Sequence, residues 1–252
     1  MKIIDAHVHL DKYEEHDAVK FLQYCDLEAA VSVSFDYASC LKTETLAHRF
    51  SKVKPVYGFH PEQEPLKDNE LETMMTWIRT RSKNMVAVGE VGLPYYLAQI
   101  QTIDLSRYVE ILEAFIKLAK ELDKPIVLHA VYEHAPIVCD LLEKYSLQSA
   151  HFHWFKGDSK TIERMSKNGY YISFTPDIIY EPEIQQLAKV YPLMQVMLET
   201  DGPWAFEGPF SGKTTQPWMI HESVNILAEI KRIEVEDAYN QIVNNTKYFF
   251  NL

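Results

Sequence analysis

The run Ile3-Ile4-Asp5-Ala6-His7-Val8-His9-Leu10 is a short apolar strand that ends in two histidines. Side chains alternate across a strand, so His7 and His9 are expected on one face. Two imidazoles at the tip of a buried strand form half of a metal site. No glycine-rich phosphate turn follows them, which argues against a doubly wound nucleotide-binding sheet.

Outward from this first strand, at residues 2–9, the chain alternates strand and helix. Segments rich in Val, Ile, Tyr and Phe recur near 29–35, 54–59, 85–91, 125–130, 149–154, 170–175 and 195–200. Several are continuous apolar runs, as parallel strands buried on both faces should be. Helical stretches near 14–25, 41–52, 68–81, 104–122, 133–145, 159–168, 182–190 and 217–230 separate them. The clearest is 104–122, where Leu105, Tyr108, Ile111, Leu112, Phe115 and Leu118 recur at three- and four-residue steps. Eight strands alternating with eight helices in 252 residues predict an α/β fold, a (β/α)8 TIM barrel forming a single domain over 1–252. A last helix near 234–249 is expected on the outside, compatible with a monomer or a dimer. Residues 202–216, with Gly202, Pro203, Gly208, Pro209 and Gly212, read as an active-site loop after the last strand.

Composition narrows the classes of function. No apolar run approaches the about 20 residues of a membrane span. The start lacks a basic stretch followed by an apolar one, so no secretory leader is expected. Three widely spaced cysteines, Cys25, Cys40 and Cys139, suit reduced thiols in a cytoplasmic protein better than a disulfide framework. The formal net charge of −11 argues against an extended basic surface for duplex nucleic acid. Bound divalent cations would reverse the field locally.

In a barrel, catalytic groups project from the C-terminal ends of the strands. Those ends carry His7 and His9, His60, Glu90, His129, His153 and Asp201. Carboxylates at the tips of apolar strands are rarely buried unless paired or bound to a cation. The combination points to neutral imidazoles and anionic oxygens around one or two divalent metals. Two metals about 3.5–4 Å apart would share a bridging carboxylate. His60 reads as a group beside the ligands or facing substrate. His151, one layer deeper than His153, reads as a hydrogen-bonded core position.

Six segments carry a family resemblance: Asp5-Ala6-His7-Val8-His9-Leu10, Gly58-Phe59-His60-Pro61, Gly89-Glu90-Val91-Gly92-Leu93, Leu128-His129, His153-Trp154-Phe155-Lys156-Gly157 and Glu199-Thr200-Asp201-Gly202-Pro203-Trp204. In this order and spacing the chain resembles the TatD-like metal-dependent hydrolases, (β/α)8 barrels of the amidohydrolase-like group usually described as deoxyribonucleases. Some relatives act on other esters, including D-aminoacyl-tRNA. The resemblance implies His7, His9 and Asp201 as ligands of one metal, Glu90 as a bridge, and His129 and His153 as ligands of a second. Two positions depart from the family pattern. Pro94 stands where the family usually has an aspartate, and Val131 where it usually has an arginine suited to phosphate. Lys156 replaces a small residue and would restore one positive charge.

The expected function is divalent-metal-dependent hydrolysis, with Asp201 and Glu90 catalytic and a metal-activated water as nucleophile. Two ions are expected, from among Zn, Mn, Mg, Fe and Ni. His60, Lys156, Tyr95 and Trp154 are expected to shape the substrate pocket. The leading substrate is a small phosphodiester or a nucleic-acid end, that of single-stranded DNA first. One alternative is a carboxylic ester, lactone or amide, aminoacyl-tRNA esters included. Another is a non-catalytic metal-binding component of a larger assembly.

Overall fold

Each apolar segment forms a parallel strand that is buried along almost its whole length. The computed structural model describes residues 1–252. Its strands are β1 (Ile3–Val8), β2 (Leu27–Ser32), β3 (Val53–Tyr57), β4 (Ala87–Gly92), β5 (Ile126–His129), β6 (Ala150–Phe152), β7 (Tyr171–Phe174) and β8 (Val196–Leu198). They pair in parallel in sequence order. Just past β8, the Asp201 amide donates to the His7 carbonyl at 3.0 Å and the His9 amide to the Gly202 carbonyl at 2.8 Å. These bonds draw β8 against β1, and the eight strands form a nearly closed TIM barrel.

The helices are α1 (Glu15–Leu22), α2 (Tyr37–Arg49), α3 (Asp68–Thr80), α4 (Tyr95–Ile100), α5 (Leu105–Glu121), α6 (His134–Lys144), α7 (Ser159–Lys167), α8 (Pro182–Val190), α9 (Met219–Lys231) and α10 (Val235–Phe250). The stripe expected on α5 is the face it buries, through Tyr108, Ile111, Leu112, Phe115 and Leu118. No helix is long and apolar enough to cross a membrane.

Three elements differ from the sequence expectation. β2 stops at Ser32 and α2 starts at Tyr37, because the Asp36 carboxylate caps the helix by accepting the Ser39 amide at 2.7 Å. Phe35 is thereby left free of the strand. A short helix, α4, follows β4 directly, where only a loop is expected. The last helix does more than lie outside. At its end Phe249 and Phe250 are buried with Ala6, Val31, Val56, Ala87 and Val127, the small side chains inside the barrel. The Phe249 ring lies 4.9 Å from that of Tyr171, the first residue of β7. The pair therefore plugs the N-terminal opening, leaving the C-terminal end free for chemistry.

One surface network yields a pH prediction. Arg164 of α7 donates to both Glu143 oxygens and to Asp140 of α6, at 2.6 to 2.7 Å, and Asn168 also donates to Glu143. Hydrogen bonding from Arg164, then from Asn168, holds the Glu143 carboxyl down at about 2. An unfolded glutamate titrates near ~4.3. The folded group is therefore depressed, and its stabilisation is full above that pH and fades as the pH falls towards about 2. Solvent screening keeps the gain under about 1 kcal/mol. Urea midpoints of wild type and Glu143→Gln should differ at pH 7, draw together below about pH 4 and converge only as the pH approaches about 2. A gap that widens on acidification would contradict this.

Candidate metal centre

The strand tips bring seven charged or imidazole side chains to one point. The Glu90 carboxylate, fully buried, sits in the middle. Its Oε1 faces His153 Nε2 at 2.7 Å, His129 Nδ1 at 3.0 Å and His60 Nε2 at 3.2 Å. Its Oε2 faces His7 Nε2 at 3.2 Å and His9 Nε2 at 3.4 Å. Asp201 Oδ1 approaches the same two nitrogens at 3.5 Å each. The two oxygens of Glu90 thus look towards two different groups of donors.

His7 and His9 meet, with their Nε2 atoms 3.4 Å apart, but not through plain strand alternation. The pairing of β1 with β2 is irregular between Asp5 and Val8, and His9 lies beyond the strand. Its place comes from the bond between its amide and Gly202. Asp201 and Trp154 both have left-handed backbones, with φ of 46° and 39°. Such conformations are uncommon for residues with a side chain, and here they turn two side chains towards the barrel mouth.

The charges balance only in part. Burial favours the neutral form of Glu90, yet the imidazoles around it hold its carboxyl well below the usual range. Burial also opposes a charge on His9, but the neighbouring carboxylates of Asp201 and Glu90 push it up to about 9. His7 is driven well down, first by burial and then by His153. The His7 and His153 rings stack with centroids 3.8 Å apart, so two cationic rings there would repel.

Divalent cations suit this donor set. Glu90 Oε2 and Asp201 Oδ1 are buried oxygens with no hydrogen-bond partner, an expensive state unless a cation satisfies them. Ligand atoms of His7, His9 and Asp201 lie within 4.8 Å of one another, as do those of His60, Glu90 and His129, and those of His7, His153 and Glu199. Proton placement separates His60 from the other imidazoles. The Glu62 amide donates to His60 Nδ1 at 3.1 Å, so a neutral ring carries its hydrogen on Nε2 and donates to Glu90. Burial lowers the pKa of His60 and favours that neutral ring. His60 is thus a hydrogen-bond donor beside the donor set, whereas His129 presents Nδ1 to it.

Three further acids hold the centre. Asp5 accepts from the Thr200 amide at 3.0 Å, the Thr200 hydroxyl at 2.6 Å and the His7 amide at 3.2 Å, joining β1 to β8 beneath the site. Burial pushes it up to about 8 against those bonds. Glu199 accepts from the Ser173 hydroxyl at 2.5 Å and the Trp154 amide at 2.9 Å, and lies 3.6 Å from His153 Nδ1. Ser173 also meets His151 at 2.6 Å, in the hydrogen-bonded core position expected of that histidine. Glu62, the third acid, faces His129 Nε2 at 3.0 Å. Glu199 has a sequence signal, since it shares the strand parity of Asp201. Glu62 has only its place after His60-Pro61.

Above the cluster lies a cavity of about 480 Å³ lined by Phe35, Glu62, Tyr96, Val131, Trp154 and Trp204 together with the centre's own side chains. Trp154 is where it was expected, its indole fixed by a 2.6 Å hydrogen bond to the buried Asp177. Tyr95 is not on the lining. Successive helical residues point about 100° apart, so Tyr96 faces the cavity while Tyr95 packs on Tyr132 and His134. Lys156 also lies off the lining. Its ammonium sits 4.7 Å from the Trp154 ring centre, and its side chain borders a separate groove between α7 and α8. No lysine or arginine lines the cavity.

Comparison with known proteins agrees with this architecture. The family described as TatD related DNase matches residues 4–251. A Haemophilus influenzae protein described as an uncharacterized metal-dependent hydrolase is 34% identical, over 99% of this chain and 100% of its own. Human deoxyribonuclease TATDN3 is 27% identical, over 98% of this chain and 94% of its own. The crystal structure of YjjV, a TatD homologue from Escherichia coli, superposes with a TM-score of 0.88 at 25% identity, covering 99% of this chain and 98% of that one.

Proposed function

The chain belongs to the TatD-related DNase family of metal-dependent hydrolases, and on that premise we propose that it cleaves a phosphodiester at the end of a single-stranded nucleic acid. The observation that carries this reading is the buried Glu90 carboxylate, whose two oxygens face two separate donor groups. His7, His9 and Asp201 would hold one divalent ion and His129 and His153 a second, with Glu90 between them. When bound, such ions acidify water and polarise the scissile group. Asp201 takes the proton of the attacking water through its other oxygen, Oδ2, and delivers it to the leaving oxygen. His60 donates from Nε2 to Glu90 and keeps that carboxylate oriented. Trp154, Tyr96 and Trp204 exclude water and offer flat faces to a terminal base. A cavity of this size, on an acidic protein, suits an end better than a duplex tracked along its length.

A second reading draws on the absence of lysine and arginine from the lining and on Val131 within it. An uncharged carboxylic ester or lactone would not miss them. The test is a panel of labelled single-stranded DNA, nitrophenyl phosphodiesters, nitrophenyl esters and lactones, each run with Mg, Mn and Zn. Turnover of DNA ends and phosphodiesters is expected, and activity confined to esters would reject the nuclease. Asp201→Asn should lower kcat by about 10²–10⁴-fold while KM changes little. An Asp201→Asn enzyme that loads metal and turns over at the wild-type rate would remove Asp201 from proton transfer.

A further inference from the structure

Glu62 joins more parts of this site than any other residue outside the donor set. It sits in the loop after β3, largely buried, and uses both its amide and its carboxylate. The amide donates to His60 Nδ1, as described. Carboxylate Oε1 lies 3.0 Å from His129 Nε2 and accepts the Tyr96 amide at 2.9 Å. Oε2 accepts the Leu97 amide at 2.6 Å.

A carboxylate that only accepts decides where the proton of His129 lies. With its hydrogen on Nε2, directed at Glu62, the ring presents the Nδ1 lone pair to the space beside Glu90 and His153. A rotated or tautomerised His129 would present a hydrogen there instead. The same two oxygens hold the first turn of α4, the helix that carries Tyr96 to the cavity wall. Pro94 immediately precedes that helix and has no amide to offer, so the Tyr96 and Leu97 amides are the ones Glu62 takes up.

We propose that Glu62 is a positioning residue: it fixes the tautomer and orientation of His129 and anchors α4, so that ligation at His129 and the placement of Tyr96 are set together. This rests on the metal-dependent reading. It concerns only the half of the site built on His129 and His153.

The experiment titrates wild type, Glu62→Ala and Glu62→Gln with Zn²⁺ and with Co²⁺, recording calorimetric isotherms and the visible Co²⁺ spectrum. In Glu62→Ala, one of the two binding steps is expected to weaken by about 10–100-fold, with a changed Co²⁺ spectrum. The step assigned to His7, His9 and Asp201 should stay within about twofold. Glu62→Gln keeps an oxygen that can accept from His129, so it should recover most of the lost affinity. Circular dichroism and metal-free melting of each variant check that the barrel is intact. If wild type binds two ions and Glu62→Ala matches it in isotherm and spectrum, the role of Glu62 is overturned and the metal centre stands. If wild type takes up no ion, the metal-dependent reading falls and this inference with it.

Discussion

Glu90→Gln is expected to lower metal-dependent turnover by about 10²–10³-fold or more and to abolish most of the stabilisation conferred by divalent ions. Glutamine keeps the shape of the side chain but replaces one anionic oxygen with an amide group that can only donate. Either orientation spoils one side of the centre. An amide at the Oε1 position opposes the donating Nε2 of His60 and removes the anion that faces His129 and His153. An amide at the Oε2 position removes the anion that faces His7 and His9. A ligand that binds only the folded state adds about 2.7 kcal/mol at a hundred times its Kd. For a domain of this length each kcal/mol moves Tm by about 2–4 °C. Saturating metal should therefore raise the wild-type Tm by roughly 5–10 °C and the Glu90→Gln Tm by far less. Differential scanning calorimetry with and without metal, beside phosphodiester turnover, makes the measurement. A variant that keeps the full metal-induced shift and turnover within tenfold of wild type would reject a role for Glu90 in metal binding.

The barrel was legible because its strands are buried on both faces and so read as continuous apolar runs. A histidine or carboxylate at the end of such a run stands out chemically. That is why His7, His9, Glu90, His129, His153 and Asp201 could be collected from the sequence, and the fold does bring them together. What escaped depends on contacts between distant segments. α4 has too few residues to show an apolar stripe, and its first turn is held by Glu62, which lies 34 residues before Tyr96. The packing of Phe249 and Phe250 inside the barrel depends on small side chains, such as Ala6 and Ala87, leaving room there. Tyr95 and Tyr96 could not be told apart without the helix that turns them. The Lys156 ammonium is drawn over the Trp154 ring, a cation–π arrangement with no signature in residue spacing.

The second large effect is expected from a single methyl group. Gly92 ends β4 and pairs in register with His129 of β5. A Cβ at Gly92 would lie 1.9 Å from the His129 carbonyl oxygen and 2.7 Å from the carbonyl carbon, far inside van der Waals contact. Those atoms belong to backbone, so no rotamer change relieves the clash. The Leu93 amide donates to the same carbonyl at 3.0 Å, and moving the strands apart would break that bond too. Gly92→Ala should therefore cost about 3–5 kcal/mol, a fall in Tm of about 10 °C or more. Function should suffer beyond this loss of stability, because β4 and β5 carry Glu90 and His129, whose facing atoms are 3.0 Å apart. A displacement of 1 Å at such a centre can cost about 10²-fold in rate. Gly169→Ala gives the comparison. Gly169 has a left-handed φ of 76°, but a Cβ there would meet nothing closer than 3.8 Å. It should cost about 1 kcal/mol through backbone conformation alone and leave turnover unchanged. Thermal melts and kcat of both variants, measured where each is folded, separate backbone strain from strand separation. Equal losses in the two would show that β4 can move away from β5 without disturbing the centre, which the 1.9 Å clash and the shared His129 carbonyl argue against.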